Sequence, residues 1–188
     1  MRITGKKINH SIKPMLATAT DKPFNSDEWL FELKLDGYRA VAEMSKQNFL
    51  LYSRNGLDLG LVYPAVAAAL KKMNIDTVLD GEIVVLDKDG KADFQELQNY
   101  TSGSNLPVVY YVFDILSLKN HDLTDLPLLE RKKFLKKVLK RSSVIRYCDH
   151  ILNDGIEFYN EVKKNNLEGI IAKRRIVFII PVCGQKNG

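Results

Sequence analysis

Between Trp29 and Asp36 the chain alternates: Trp29, Phe31, Leu33 and Leu35 are apolar, while Glu32, Lys34 and Asp36 fall between them. A period of two is the mark of a strand, here spanning 29–36, with one apolar face and three charges in a row on the other. Further strands are expected at 38–45, 49–53, 78–86, 108–116 and 169–173. Asn55-Gly56 and the segment 87–90 supply turn chemistry after two of them. Three stretches carry helical spacing. In 63–73, Pro64 sits in the first turn and Val66, Leu70 and Met73 share a face; in 126–141, Pro127 is early and Leu128, Leu135, Val138 and Leu139 line up; 156–165 is the third. Helices are too few, and too irregularly placed between strands, for a parallel α/β sheet. The class is α+β, with mostly antiparallel sheets flanked by helices.

At 188 residues and 45% apolar content, the chain suits one domain with a real core. No run approaches the ~18 apolar residues needed to span a membrane, and residues 1–13 are polar and basic. The two cysteines, Cys148 and Cys183, form no CxxC pair, and the three histidines are scattered, which argues against a disulfide framework and a zinc site. A reduced, cytoplasmic protein is expected. The net charge of +5 is compatible with a nucleic-acid partner without requiring one. The same ambiguity attaches to Arg131, Lys132, Lys133, Lys136, Lys137, Lys140 and Arg141 on the 126–141 helix. A solvated helix face is the commoner origin of such a run, and a DNA contact the alternative.

The segment Glu32-Leu33-Lys34-Leu35-Asp36-Gly37-Tyr38-Arg39 places a lysine between two carboxylates on one strand face, with a glycine for a turn or a close approach and an arginine beyond it. Alone, such a lysine reads as a solvated strand residue. Four later segments change that: Ser53-Arg54-Asn55-Gly56, Asp80-Gly81-Glu82, Tyr111-Val112-Phe113-Asp114, and Glu168-Gly169-Ile170-Ile171-Ala172-Lys173. Each is a short strand or strand end bearing a group that could meet Lys34 in one cleft. In this order they resemble the covalent nucleotidyltransferases, a group of DNA ligases, RNA ligases and mRNA capping enzymes. Pro14-Met15-Leu16-Ala17, Trp29-Leu30-Phe31, Phe94-Gln95-Glu96-Leu97 and Pro127-Leu128-Leu129-Glu130-Arg131 are similar to the ATP-dependent ligases of bacterial DNA end joining. The resemblance runs from Pro14 to Arg174.

The resemblance implies that Lys34 attacks the α-phosphate of ATP and becomes a lysyl-AMP phosphoramidate. A free lysine amine, with a pKa of ~10.4, is overwhelmingly protonated at neutral pH and must be activated. It implies further that Glu32 accepts a hydrogen bond from the adenine amino group, Phe113 stacks on adenine, and Arg39 and Arg54 contact ribose and phosphates. Glu82 would bind ribose and share a Mg2+ or Mn2+ ion with Glu168, and Lys173 would lie near the phosphates. Simple core packing is the less favoured alternative for Phe113. Asp36 and Gly37 read as structural, and Asp80 and Asp114 as local hydrogen-bonding residues. The implied partners are ATP and nicked or broken double-stranded DNA.

After Arg174 the pattern departs from the family, which continues with a Lys-x-Lys strand and an OB-fold domain. Read one nucleotide out of frame, a back-translation of residues 176–188 can spell D-S-V-Y-Y-S-G-V-R-S-K-E-W, similar to the family's own continuation. The expected organisation is a lead-in at 1–24, an adenylation domain at 25–175, and a frameshifted tail at 176–188 with the OB domain missing. Full ligation by this chain would then be weak or absent. A non-catalytic nucleotide- or DNA-binding remnant and an RNA ligase or capping-type enzyme are the alternatives.

Overall fold

A computed structural model describes residues 15–140, 142–176 and 179. Expectations that fall on residues 1–14, 141, 177, 178 and 180–188, which include Pro14, Arg141 and nearly all of the tail, lie outside the described residues. The elements, in chain order, are β1 (Ser26–Lys34), β2 (Tyr38–Met44), β3 (Phe49–Ser53), α1 (Pro64–Lys71), β4 (Thr77–Val85) and α2 (Phe94–Gln98). There follow β5 (Val108–Leu118), β6 (His121–Asp122), α3 (Leu128–Val138), β7 (Ile145–Tyr147), β8 (His150–Asn153), α4 (Gly155–Lys164) and β9 (Gly169–Arg174).

The strands form two sheets. The larger runs β3-β2-β4-β5-β6, with β7 attached to β5, and the smaller runs β8-β1-β9. Every pairing is antiparallel except β5 with β7. This is the expected α+β arrangement of antiparallel sheets flanked by helices. The main core fills the space between the larger sheet and helices α1 and α3. Tyr63 just before α1, Val66 and Leu70 of α1 and Leu135 of α3 meet Leu79, Ile83, Tyr110, Val112 and Ile115 there. Tyr110 is wholly buried, and its hydroxyl donates to the Ala40 carbonyl at 2.9 Å, so its polar end costs little.

Local sequence accounts for the starts of α1 and α2. Pro64 opens α1, as a residue without an N–H should. Asp93 caps α2 by accepting from the Glu96 N–H at 3.0 Å. Four elements carry too few residues to show a period: α2, β6, β7 and β8. No helix among the described residues is long and apolar enough to cross a membrane.

Two glycines let the strands close on each other. A Cβ on Gly37 would run into the Ile83 carbonyl and sit 2.8 Å from Val84 Cγ1. A Cβ on Gly81 would meet the Tyr111 carbonyl and the Tyr110 ring. Both glycines in the sequence patterns around Lys34 and Glu82 therefore serve close backbone approach.

Candidate active site

The register of the smaller sheet sets one wall of a cleft. Lys34 lies opposite Gly169, Glu32 opposite Ile171, and Leu30 opposite Lys173. Directly paired residues share a face, so Leu30, Glu32, Lys34, Ile171 and Lys173 all point the same way. Glu168 sits just before β9, where its carboxylate forms an ion pair with Lys34. Lys34 is 45% exposed at the end of its strand, open to an incoming ligand.

The opposite wall comes from the larger sheet. Arg39 on β2 faces Glu82 on β4 across the ladder and grips Asp80 with two hydrogen bonds of 2.6 Å, from Nε and Nη2. On β5 the pairing passes from Asp80↔Asp114 to Gly81↔Val112. Phe113 therefore has no opposite number on β4. It is the extra residue of a bulge, a device that re-aims a side chain out of the regular alternation. Its ring meets the Arg39 guanidinium at 4.6 Å and the Lys173 ammonium at 3.9 Å. The two walls thus meet at Phe113, and both cations lie on its aromatic face.

Glu32 is only 2% exposed, yet it is ionised. Burial pushes its carboxyl up, but Lys173 and Lys132 together outweigh burial and hold it below its ordinary value. Lys173 reaches Oε2 at 2.6 Å and Lys132 reaches Oε1 at 2.5 Å. Because the native pKa is depressed, this cluster contributes stability above the usual glutamate range and loses it as pH falls through the native value.

Glu82 is the opposite case. It makes no hydrogen bond or ion pair among the described residues. Burial raises its carboxyl to about 7, with Arg39 pulling the other way and Asp80 reinforcing the rise. A raised carboxyl favours folding below its unfolded pKa, and that contribution is lost as pH climbs through about 7. Glu82→Gln should therefore stabilise the free chain at pH 8 by about 2 kcal/mol, and much less at pH 5. Denaturant midpoints at the two pH values check this. Equal midpoint shifts at both would remove the claim that Glu82 is a strained carboxylate.

Not every expected residue is held by a neighbour in the free chain. Arg54 is exposed just past β3 and makes no ion pair among the described residues. Asp36 is exposed beyond β1 and accepts no hydrogen bond among them, so it does not brace the strand end. Asp80, expected to bond locally, instead binds Arg39; Asp114 does bond locally, accepting from the Ile115 N–H, and also takes two hydrogen bonds of 2.8 Å from Arg131. The largest departure lies on α3. Arg131 and Lys132 are 0% and 1% exposed and turn into the protein, while Lys133, Lys136 and Lys137 stay in solvent. The basic run is thus not one solvated face. The sequence signal was available: Arg131 and Lys132 directly flank the Leu128–Leu135 stripe on the helical wheel.

The donors at hand suit a hard divalent cation. Glu82 is an unpartnered carboxylate and Glu168 a half-exposed one, and no group of three or more acidic, histidine or cysteine side chains gathers among the described residues. Magnesium is commonly held by one or two carboxylates plus phosphate oxygens, so two glutamates fit it and manganese better than a closed protein cage would.

Comparison with known proteins agrees with this geometry. Residues 14–177 match the family described as ATP dependent DNA ligase domain. The chain is 35% identical over 167 residues to the multifunctional non-homologous end joining protein LigD of Pseudomonas aeruginosa, covering 87% of this chain and 20% of that protein. It is 29% identical over 169 residues to the SPbeta prophage-derived DNA ligase-like protein LigB of Bacillus subtilis, covering 87% of this chain and 60% of that one. Among solved structures, mycobacterial DNA ligase D complexed with ATP and MES superimposes with a TM-score of 0.80 at 32% identity, over 91% of this chain and 56% of that one. Chlorella virus DNA ligase-adenylate shares the fold, with a TM-score of 0.63 at 19% identity over 88% and 60% of the two chains. The chain spans between about a fifth and a third of the length of the end joining proteins it matches.

Proposed function

Since this chain belongs to the ATP-dependent DNA ligase domain family, we propose that residues 25–175 are its adenylation domain and that Lys34 is the residue that becomes attached to AMP. The observation that carries this reading is the placement of Lys34. It stands at the open end of β1, paired with Glu168, on the cleft wall that also bears Glu32 and Lys173.

In this reading the Lys34 amine forms a nitrogen–phosphorus bond to the α-phosphate of ATP as the bond to the leaving pyrophosphate breaks. The protein's work is mainly positioning, which for a two-reactant step can supply a large part of the barrier reduction. Phe113 offers the face on which adenine stacks, and Glu32 accepts from its amino group. Arg39, Arg54 and Lys173 supply positive charge to ribose and phosphates. The Lys34 amine must lose its proton and part from Glu168 before it attacks. Glu168 and Glu82 would hold a Mg2+ or Mn2+ ion, which neutralises phosphate charge and disfavours an ammonium beside it.

Incubation with ATP labelled at the α-phosphate, followed by denaturing electrophoresis, tests the reading. A labelled band is expected, and an unlabelled protein that still binds ATP would favour a non-catalytic binding module instead. Nicked or broken duplex DNA is the proposed acceptor of the AMP group. In the free protein Lys173 and Arg39 already lie on Phe113, so a base can stack only by displacing charge from the ring. Phe113→Ala should still weaken ATP binding by ~1–3 kcal/mol, the range for aromatic–base stacking. Competition titration reads it. Unchanged affinity would return Phe113 to plain core packing.

A further inference from the structure

Two ammonium groups lie on the Glu32 carboxylate, and an entering base affects them differently. Lys173 binds Oε2 and also lies 3.9 Å from the centre of the Phe113 ring. A base stacked on Phe113, with its amino group on Glu32, claims both places, so Lys173 must move away. It is on a strand at the cleft wall and is 24% exposed, so it has somewhere to go. Lys132 does not. It is 1% exposed, its Nζ lies 3.3 Å from the Cys148 carbonyl and 4.9 Å from the Tyr147 ring centre, and its neighbour Arg131 fixes α3 to β5 through Asp114.

From this asymmetry we infer that Lys132 is a positioning residue for base selection: it keeps Glu32 a purely accepting carboxylate after Lys173 has left, and so favours a 6-amino over a 6-oxo purine. This rests on the reading of Glu32 as the adenine contact. An ionised carboxylate accepts from the amino group of adenine and repels the carbonyl oxygen of guanine. A protonated one can donate to that oxygen, and the discrimination disappears.

The other groups around Glu32 cannot replace Lys132. Tyr147 on β7 and Cys148 after it are neutral, burial pushing the tyrosine far up and the thiol up to about 12. His150 at the start of β8 is held below its usual value by burial and by Lys132, so it is not a cation near pH 7. Asp149 and Asp114 are acids and supply no positive charge, the first exposed and the second taken by Arg131. Lys136 lies 5.7 Å from the far side group, the Tyr147 ring, and forms no ion pair with Glu32 among the described residues. With Lys132 neutralised and Lys173 displaced, Glu32 would be a buried carboxylate with no cation against it. Such a group takes up a proton as pH falls.

The test uses the full chain, with ATP and GTP competing against a fluorescent ATP analogue between pH 6 and pH 8.5. The parent should hold one ATP-to-GTP affinity ratio throughout. In Lys132→Met the ratio should fall at least ~10-fold toward pH 6, and Lys132→Arg should restore a flat profile. A Lys132→Met variant that binds both nucleotides more weakly, with the ratio unchanged across pH, would show a merely structural lysine and overturn the inference. Glu32→Gln separates the two levels. If it leaves the ratio intact, the adenine reading itself fails; if it collapses the ratio and Lys132→Met does not, only the role of Lys132 fails. Should Lys132→Met not fold, the parent decides through the carbon-13 resonance of the Glu32 carboxyl. It should remain that of an ionised group in the ATP complex at pH 6, and a protonated signal there overturns the inference. A parent that binds no ATP overturns both readings.

Discussion

Lys34→Ala should abolish covalent AMP attachment, lowering labelling from α-labelled ATP by at least ~10³-fold, because no other amine can occupy the attacking position. The structure explains why loss should be so complete. Lys132 is buried and committed to Glu32, and Lys173, although a bound base displaces it from Glu32, is anchored opposite Leu30, four positions along the ladder from Lys34. Neither is rooted at the open end of β1, from which Lys34 attacks. Lys34→Arg should fail as well, since a guanidinium is charged at any accessible pH and is no nucleophile. The fold should survive either change. Lys34 is 45% exposed at a strand end, and its exposed pair with Glu168 contributes little to stability. Mass spectrometry of labelled peptides checks the site directly, and AMP found on a different lysine would sink the assignment.

The sequence reading succeeded where a repeating pattern had enough residues to declare itself. The alternation around Lys34 located β1, and helical spacing located α1, α3 and α4 to within a few residues. The strands of two to four residues were not legible, because β6, β7 and β8 hold too few positions to establish a period and take their conformation from neighbouring strands. The cleft was legible only as a set of residue types in order. What spacing could not show is how those residues are held. The bulge that leaves Phe113 unpaired depends on the register of β4 against β5, which no local pattern fixes. The helical wheel places Arg131 and Lys132 beside the apolar stripe, but the anions that let them stay buried, Asp114 and Glu32, lie 17 and 100 positions away, where the wheel cannot see them. The basic run of this segment therefore hid two cations with internal partners.

Those internal partners make Arg131 the side chain whose loss should cost the fold most. Arg131 is fully buried, and its guanidinium uses Nε and Nη2 on the two oxygens of Asp114 at 2.8 Å and Nη1 on the Leu126 carbonyl at 2.6 Å. Asp114 in turn accepts from the Ile115 N–H at 2.9 Å. Both desolvation costs are already met by this geometry, so the intact pair need not stabilise strongly relative to apolar residues of the same shape. Breaking it is another matter. Arg131→Ala strands a carboxylate that is 7% exposed and frees the Leu126 carbonyl, which should destabilise the chain by ~3–5 kcal/mol. Arg131→Lys should recover only part of that, because one ammonium cannot reproduce a two-pronged contact and a third bond to a carbonyl. Arg131→Met combined with Asp114→Leu should recover most of it, since removing both charges removes the stranded one. The double variant should nonetheless bind ATP poorly. Asp114 adjoins the Phe113 bulge, and the Arg131 clasp fixes β5 against α3 at the point where Lys132 reaches Glu32. Chemical denaturation of the parent and the three variants measures the stability ordering, and ATP titration of the double variant measures the rest. An Arg131→Ala midpoint within ~1 kcal/mol of the parent would mean that water, and not Arg131, satisfies Asp114.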